Sequence, residues 1–199
     1  MRTLTVLTFL SLDGVMQAPG SKGEDPSGGF DLEGWIVSYF DDVLGSEMGK
    51  QMTPPFDLLL GRKTYEIFAS YWPQKGDENP FKQCTKYVVS NGVITTDWDE
   101  TVQIKEDPVA EIKKLKQQDG PVLQVHGSSN LTQTLLANDL VDELWLKIFP
   151  VTLGKGKRLF GEGTNPAAYK LTESIISPGG VIIATYKRDG NVKPGSFDS

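Results

Sequence analysis

Leu58-Leu59-Leu60-Gly61-Arg62-Lys63-Thr64-Tyr65-Glu66 runs an apolar stretch straight into a glycine, two cations and a threonine. The apolar part reads as a buried strand. Its end reads as a turn in which backbone amides, a guanidinium, an ammonium and a hydroxyl all face one anion. Four donors of different kind in adjacent positions suit a phosphate. A strand followed by a basic helix start would fit the same residues. A second case occurs in Gln124-Val125-His126-Gly127-Ser128-Ser129-Asn130-Leu131, where a strand ends in glycine and two serines stand at a helix start. Free N–H groups and the positive end of the helix dipole point outward there, which suits a pyrophosphate. Serine as a plain N-cap is the alternative. Two such turns after two strands of one sheet match the two phosphate regions of a single dinucleotide.

Working outward, Thr3 to Leu12 reads as a buried strand ended by Asp13-Gly14. Residues 17–29 hold Pro19, Gly20, Gly23, Pro26, Gly28 and Gly29 and read as a long loop of the lid or disordered kind. Trp35, Ile36, Tyr39, Phe40, Val43, Leu44, Met48 and Met52 recur at helical spacing, and Pro54-Pro55 stops that helix. Strand Phe56–Leu60 and a short helix through Ala69 follow, then a strand over Lys86–Ser90. Asp107-Pro108 predicts an N-cap with proline at the first helical position, opening a helix through Gln118. Pro121–His126 is a strand, Leu131–Ala137 a helix, and Glu143–Val151 a strand. Ala168–Tyr186 supplies two more strands around a Ser177-Pro178-Gly179-Gly180 hairpin turn. Strands alternating with helices, then strands only, predict an α/β fold whose mixed, mostly parallel sheet carries an antiparallel C-terminal hairpin. Residues 1–187 are expected to form a single domain and 188–199 a polar tail.

At 199 residues and net charge −6, the chain is large enough for a substantial core and too acidic for a general nucleic-acid or anionic-membrane binder. One cysteine, Cys84, excludes an internal disulfide and a Cys-rich zinc site, and one histidine, His126, excludes His-x-x-x-His metal spacing. No metal is expected. A hydrolase pairing Ser128 or Ser129 with His126 lacks a Gly-x-Ser-x-Gly elbow. With no signal peptide and no apolar run long enough for a bilayer, the cytoplasm is the expected location. Gly154-Lys155-Gly156-Lys157-Arg158 has neither Rossmann nor Walker spacing and reads as a flexible basic loop.

Ser11-Leu12-Asp13-Gly14, Leu60 through Glu66, Tyr71-Trp72-Pro73, Val88-Val89-Ser90 and Leu140 through Gly154 occur in an order that resembles the dihydrofolate reductase-like superfamily. Within it, the chain is most similar to stand-alone relatives of the reductase domain of the bifunctional riboflavin-biosynthesis deaminase-reductase. The resemblance spans Arg2 to Lys187 and implies a three-layer fold, NADPH as cofactor and a homodimer. It places Arg62, Lys63, Thr64 and Ser90 around the adenosine 2′-phosphate and the neighbouring phosphate, with Gly61 as a further cofactor-binding residue. It places Gly127, Ser128, Ser129 and Asn130 on the pyrophosphate, with a cis bond between Gly127 and Ser128.

The chain departs from the riboflavin-pathway pattern at two positions. Val15 stands where lysine usually follows Ser-Leu-Asp-Gly, and His126 stands where glutamate usually precedes a double glycine, Ser128 replacing the second glycine. The expected activity is an NADPH-dependent reduction of a C=N or C=O bond in a small heterocyclic or sugar-like substrate, of pteridine or pyrimidine type. A non-catalytic NADPH-binding sensor or scaffold is the alternative. Trp35, Tyr39 and Phe40 are candidates for an apolar substrate wall. His126 is the candidate proton donor, or a structural hydrogen-bonding residue. Asp31, Glu33, Asp41 and Asp42 are the acids within reach of the site in sequence.

Overall fold

In the computed structural model, residues 1–95 and 97–197 are described, and an eight-stranded sheet runs through them. Its strands are β1 (Leu4–Ser11), β2 (Phe56–Gly61), β3 (Lys86–Val89), β4 (Thr101–Ile104), β5 (Val122–His126), β6 (Glu143–Phe149), β7 (Tyr169–Ile176) and β8 (Ile182–Arg188). The α-helices are α1 (Asp42–Gln51), α2 (Arg62–Tyr71), α3 (Pro108–Gln117) and α4 (Ser129–Ala137). Strand order is β4-β3-β2-β5-β1-β6-β8-β7, with parallel pairing from β4 to β6 and antiparallel pairing of β8 with both its neighbours. The expected mixed sheet with an antiparallel C-terminal hairpin is present. The last strand reaches Arg188, two residues past its expected end at Tyr186.

β1 lies inside the sheet, buried on both faces, as its near-continuous apolar run requires of a parallel strand. Leu4, Val6, Leu123, Val125 and Leu59 point to one face, where they pack with Ile112 and Leu115 of α3 and Leu131 and Leu135 of α4. The other face carries Leu7 and Phe9. Leu7 pairs with His126 and Phe9 with Lys147, so all four side chains share that face. Two clusters cover it. One joins Phe56, Leu58 and Leu60 to Tyr65 and Ala69 of α2 and to Phe81 and Trp98. The other joins Leu44 of α1 to Phe149, Val181 and Ile183.

Two elements differ from expectation. β4 is a four-residue edge strand between Glu100 and Lys105, too short to show a period in sequence. Helix α1 begins only at Asp42, because Asp41 takes the cap position and its carboxylate accepts the Leu44 amide at 2.9 Å. Upstream, Gly34 has a positive φ of 76° and Val37–Tyr39 is a single 3-10 turn. Trp35 and Tyr39 still reach the core, stacking edge-on against the fully buried Phe149 at 5.5 and 6.2 Å between ring centroids. Helical spacing there reflected a shared destination, not a helix.

At the other end of the sheet, Arg2 is buried against Asp57. Its Nη2 donates to Asp57 Oδ2 and its Nε to Pro121 O at 2.8 Å, while Asp57 Oδ1 accepts the Thr85 amide at 2.8 Å. One ion pair thus ties the starts of β1, β2, β3 and β5. Asp107 caps α3 as expected, accepting the Ala110 amide at 3.0 Å, with Pro108 in the first turn. Among the described residues, no helix is long and apolar enough to cross a membrane.

Candidate active site

A cavity of about 680 Å3 opens between the two clusters and runs to the ends of β2 and β5, where α2 and α4 begin. Ligands of open α/β sheets collect at that edge because helix N-termini converge there.

Arg62, Lys63 and Thr64 form the first turn of α2, and Gly61 caps it without any side-chain acceptor. Ser128 stands in the cap position of α4, yet its hydroxyl makes no capping bond. Its Oγ instead accepts the Gly61 amide at 2.9 Å and donates to Thr64 Oγ1 at 2.6 Å. One hydroxyl therefore joins the two helix starts, and the first-turn amides of both helices keep their outward-facing hydrogens. A Cβ at position 61 would lie 2.8 Å from Ser128 Oγ, so glycine is what lets the two turns touch. Gly127 (φ 75°) and Ser128 (φ 66°) are both left-handed, and the bond between them is trans. The expected cis bond is thus corrected: two successive left-handed residues turn the chain here. A Cβ on Gly127 would meet nothing within 4 Å, so the backbone is open to an incoming group.

Both cations stand on the rim. Lys63 Nζ lies 2.7 Å from Asp25 Oδ1, and Lys157 Nζ lies 2.6 Å from Asp25 Oδ2. Burial opposes ionisation of Asp25, but hydrogen bonds from Lys157, Lys63 and Ser27 outweigh it and hold the carboxyl well below its usual range. Arg62 is held only loosely, its Nε 3.7 Å from Glu66 Oε1, and its guanidinium lies over Gly92. Ser90 is the neighbour of that turn, its Oγ bonded to Gly92 at 3.2 Å; it does not itself line the cavity. The set combines helix-start amides without capping side chains, an open glycine and two cations at the rim. It fits a phosphorylated dinucleotide.

The loop over residues 17–29 is fastened, not structureless. Gln17 Nε2 donates to Asp25 O at 2.8 Å and Ser27 O at 2.9 Å, and Glu33 accepts the amides of Gly23 and Asp25. The basic loop over residues 154–158 clasps it. Lys157 N donates to Gln17 Oε1 at 2.9 Å, and a Cβ on Gly156 would fall 2.6 Å from Val15 Cγ1. Val15 is fully buried beneath that glycine with Ala18 and Phe30, away from the cavity. Asp13 completes the clasp, accepting Ser11 Oγ at 2.6 Å and the amides of Leu153 and Gly154.

At the deep end, His126 faces Phe68 and Phe81 edge-on. Gln124 Nε2 donates to Gln51 O, so Gln124 Oε1 is left to accept from His126 Nε2 at 2.8 Å. Burial, then the nearby Lys147 charge, pushes the imidazole down to about 3. It stands neutral at pH 7 with its proton held by Gln124, which is the arrangement of a structural hydrogen-bonding residue. Neither Ser128 nor Ser129 pairs with it, so no nucleophile–base couple forms.

Trp35, Tyr39 and Phe40 do not line the cavity. Trp35 and Tyr39 pack on Phe149, and Phe40 is half exposed. Because α1 starts late, its cavity face is Met48 and Gln51, with Met52 following. Nor do Asp31, Glu33, Asp41 or Asp42 reach it; Asp41 is held by its capping bond and by the Gly179 amide at 2.8 Å. The residues not foreseen are Phe9, Phe68 and Lys147. A lone lysine inside Leu144-Trp145-Leu146-Lys147-Ile148-Phe149 was the available signal for the last.

Residues 2–183 match the family of the RibD C-terminal domain. The uncharacterized protein YyaP of Bacillus subtilis (strain 168) is 29% identical over 140 residues, covering 67% of this chain and 74% of that protein. A solved structure of a protein from Shewanella sp. PV-4 assigned to riboflavin biosynthesis has a TM-score of 0.65 at 23% identity. It covers 94% of this chain and 99% of that one. Dihydrofolate reductase from Enterococcus faecalis, complexed with NADP(H), has a TM-score of 0.58 at 15% identity, covering 94% and 96%. The structural likenesses show the fold; together with the match over residues 2–183, they make this chain a member of the RibD C-terminal domain family with a dihydrofolate reductase-like fold.

Proposed function

We propose that the protein is a cytoplasmic NADPH-dependent reductase acting on a small heterocyclic or sugar-like substrate, of the kind met in riboflavin or folate metabolism. The observation that carries this reading is the joining of two uncapped helix starts by Ser128, with Arg62 and Lys63 beside them. Arg62, Lys63 and Thr64, with Ser90 behind, receive the 2′-phosphate, whose extra charge needs cationic partners and favours NADPH over NADH. Gly127, Ser128, Ser129 and Asn130 receive the pyrophosphate, and Gly61 keeps the two turns together. The bound cofactor supplies the hydride. The chain's own residues bind and orient, while Phe9, Phe68 and Phe81 keep water from the deep end. Neutral His126 offers the cavity no carboxylate, and Val15 puts no ammonium where the riboflavin-pathway pattern has one, so a ribosylamino-pyrimidine is not the preferred substrate.

The reading is tested by NADPH oxidation against a panel of pteridines, pyrimidines and small aldehydes. Turnover of at least one class is expected. NADPH binding without turnover of any would instead indicate a sensor or scaffold.

The protein is further proposed to pair with a second copy. Leu171, Ile176 and Ile182 leave an apolar stripe exposed on one face of the β7–β8 hairpin, and Ile176 and Ile182 are direct register partners. Sedimentation at micromolar concentration is expected to give a dimer, and Ile176→Glu a monomer. A wild-type monomer would contradict the pairing.

A further inference from the structure

Lys147 sits in the middle of β6 and is almost fully buried. It lines the deep end of the cavity with its Nζ 5.8 Å from the Phe9 ring centroid. Among the described residues, no hydrogen-bond acceptor and no carboxylate pairs with that nitrogen. A buried ammonium without an internal partner is costly, and one that faces a cavity, as Lys147 does and the buried Lys86 does not, is a candidate to meet a ligand. Its register partners are Phe9 of β1 and Ile183 of β8; Met48 and Gln51 of α1 also line the cavity, and Gln51 Oε1 is buried without a hydrogen-bond partner. His126 on β5 is the titratable group that feels its charge. Acids on the cavity wall are confined to Glu24 and Asp25 among the described residues. Both are already engaged, Asp25 by Lys63 and Lys157, Glu24 by the amides of Gly20 at 2.8 Å and Ser21 at 3.2 Å. A substrate presenting an amidine or amino edge would therefore find no free carboxylate at the deep end, only the neutral Gln51 Oε1. One presenting an oxygen would find an ammonium with nothing else to bind.

Building on the reductase reading above, we propose that Lys147 receives the carbonyl oxygen of the substrate and supplies its proton, so that the substrate class is an apolar carbonyl compound. In the reduction, the carbonyl carbon accepts the hydride from the dihydronicotinamide. The C=O π pair moves to oxygen, and that oxygen takes a proton from Nζ. The product is an alcohol, and the neutral amine regains its proton from water. Burial pushes the Lys147 ammonium down to about 7, so near neutrality it holds a proton and parts with it readily.

The charge makes a testable anion site even without cofactor. Benzoate serves as the probe, its ring matching the Phe9, Phe68 and Phe81 walls and its carboxylate matching the ammonium. Calorimetry on the cofactor-free protein is expected to show benzoate binding at pH 6. Because Lys147 is charged below about 7 and neutral above it, affinity is expected to fall at least tenfold by pH 9. Lys147→Met should lose at least tenfold at pH 6 while keeping its NADPH affinity, and Lys147→Arg, whose charge does not titrate, should bind equally at both pH values. Benzoate resting on Arg62 and Lys63 would survive Lys147→Met and show no fall between pH 6 and 9, and either result would overturn the proposal. The wild-type pH dependence decides the matter even if a variant fails to fold. Absence of NADPH binding with a normal benzoate profile would instead defeat the reductase reading and leave the anion site standing.

Discussion

Asp57→Ala is expected to lower stability by about 3–5 kcal/mol, as much as emptying a large core position would. The Arg2 side chain is 3% exposed, and without Asp57 its guanidinium would stay buried with only Pro121 O as acceptor. The Thr85 amide would lose its acceptor as well. An uncompensated buried charge costs far more than the net worth of the pair, so the neutral double variant Arg2→Met, Asp57→Leu should recover most of the loss. With total stability on the order of 5–15 kcal/mol, the single variant would forfeit a large share of it. Urea unfolding measures both variants. A loss below about 1 kcal/mol for Asp57→Ala would show that water or a shifted backbone satisfies Arg2. Neither residue borders the cavity, so native Asp57→Ala protein should bind cofactor normally.

Ser128→Asp is expected to separate folding from binding. Ser128 has a positive φ of 66°, which aspartate tolerates. Its carboxylate could accept the Gly61 amide and Thr64 hydroxyl and also cap α4, so stability should hold or rise by about 0.5–1 kcal/mol. The same charge would stand where the pyrophosphate is proposed to sit. Like charges placed against each other cost several kcal/mol, so NADPH affinity should fall on the order of a hundredfold or more. Unchanged affinity in a stably folded variant would mean that the α4 start does not hold phosphate.

The phosphate turns were legible because each is continuous in sequence: Gly61 through Thr64 and Gly127 through Asn130 are adjacent residues delivered by adjacent strand ends. The α3 start was legible for the same reason, since Asp107-Pro108 is a local chemical signal. The deep end was not. Phe9, Met48 and Lys147 come from β1, α1 and β6, and only the Phe9–Lys147 register brings the first and last together. Trp35 and Tyr39 misled because an aromatic residue that packs on Phe149 from a 3-10 turn has the same spacing as one that packs from a helix. β4 was missed because four residues at a sheet edge carry no period. The cis bond between Gly127 and Ser128 was expected from the family resemblance alone, and no residue pattern in the turn speaks to the isomer.

The cavity's assignment as an NADPH site is tested most directly by calorimetric titration of the purified protein with NADPH and with NADH, alongside Arg62→Ala. NADPH is expected to bind at least about tenfold tighter than NADH. Arg62→Ala should weaken NADPH alone, by about 1.5–3 kcal/mol, the range for a hydrogen bond to a charged group. Equal affinity of the wild-type protein for both cofactors, or binding of neither, would contradict the account.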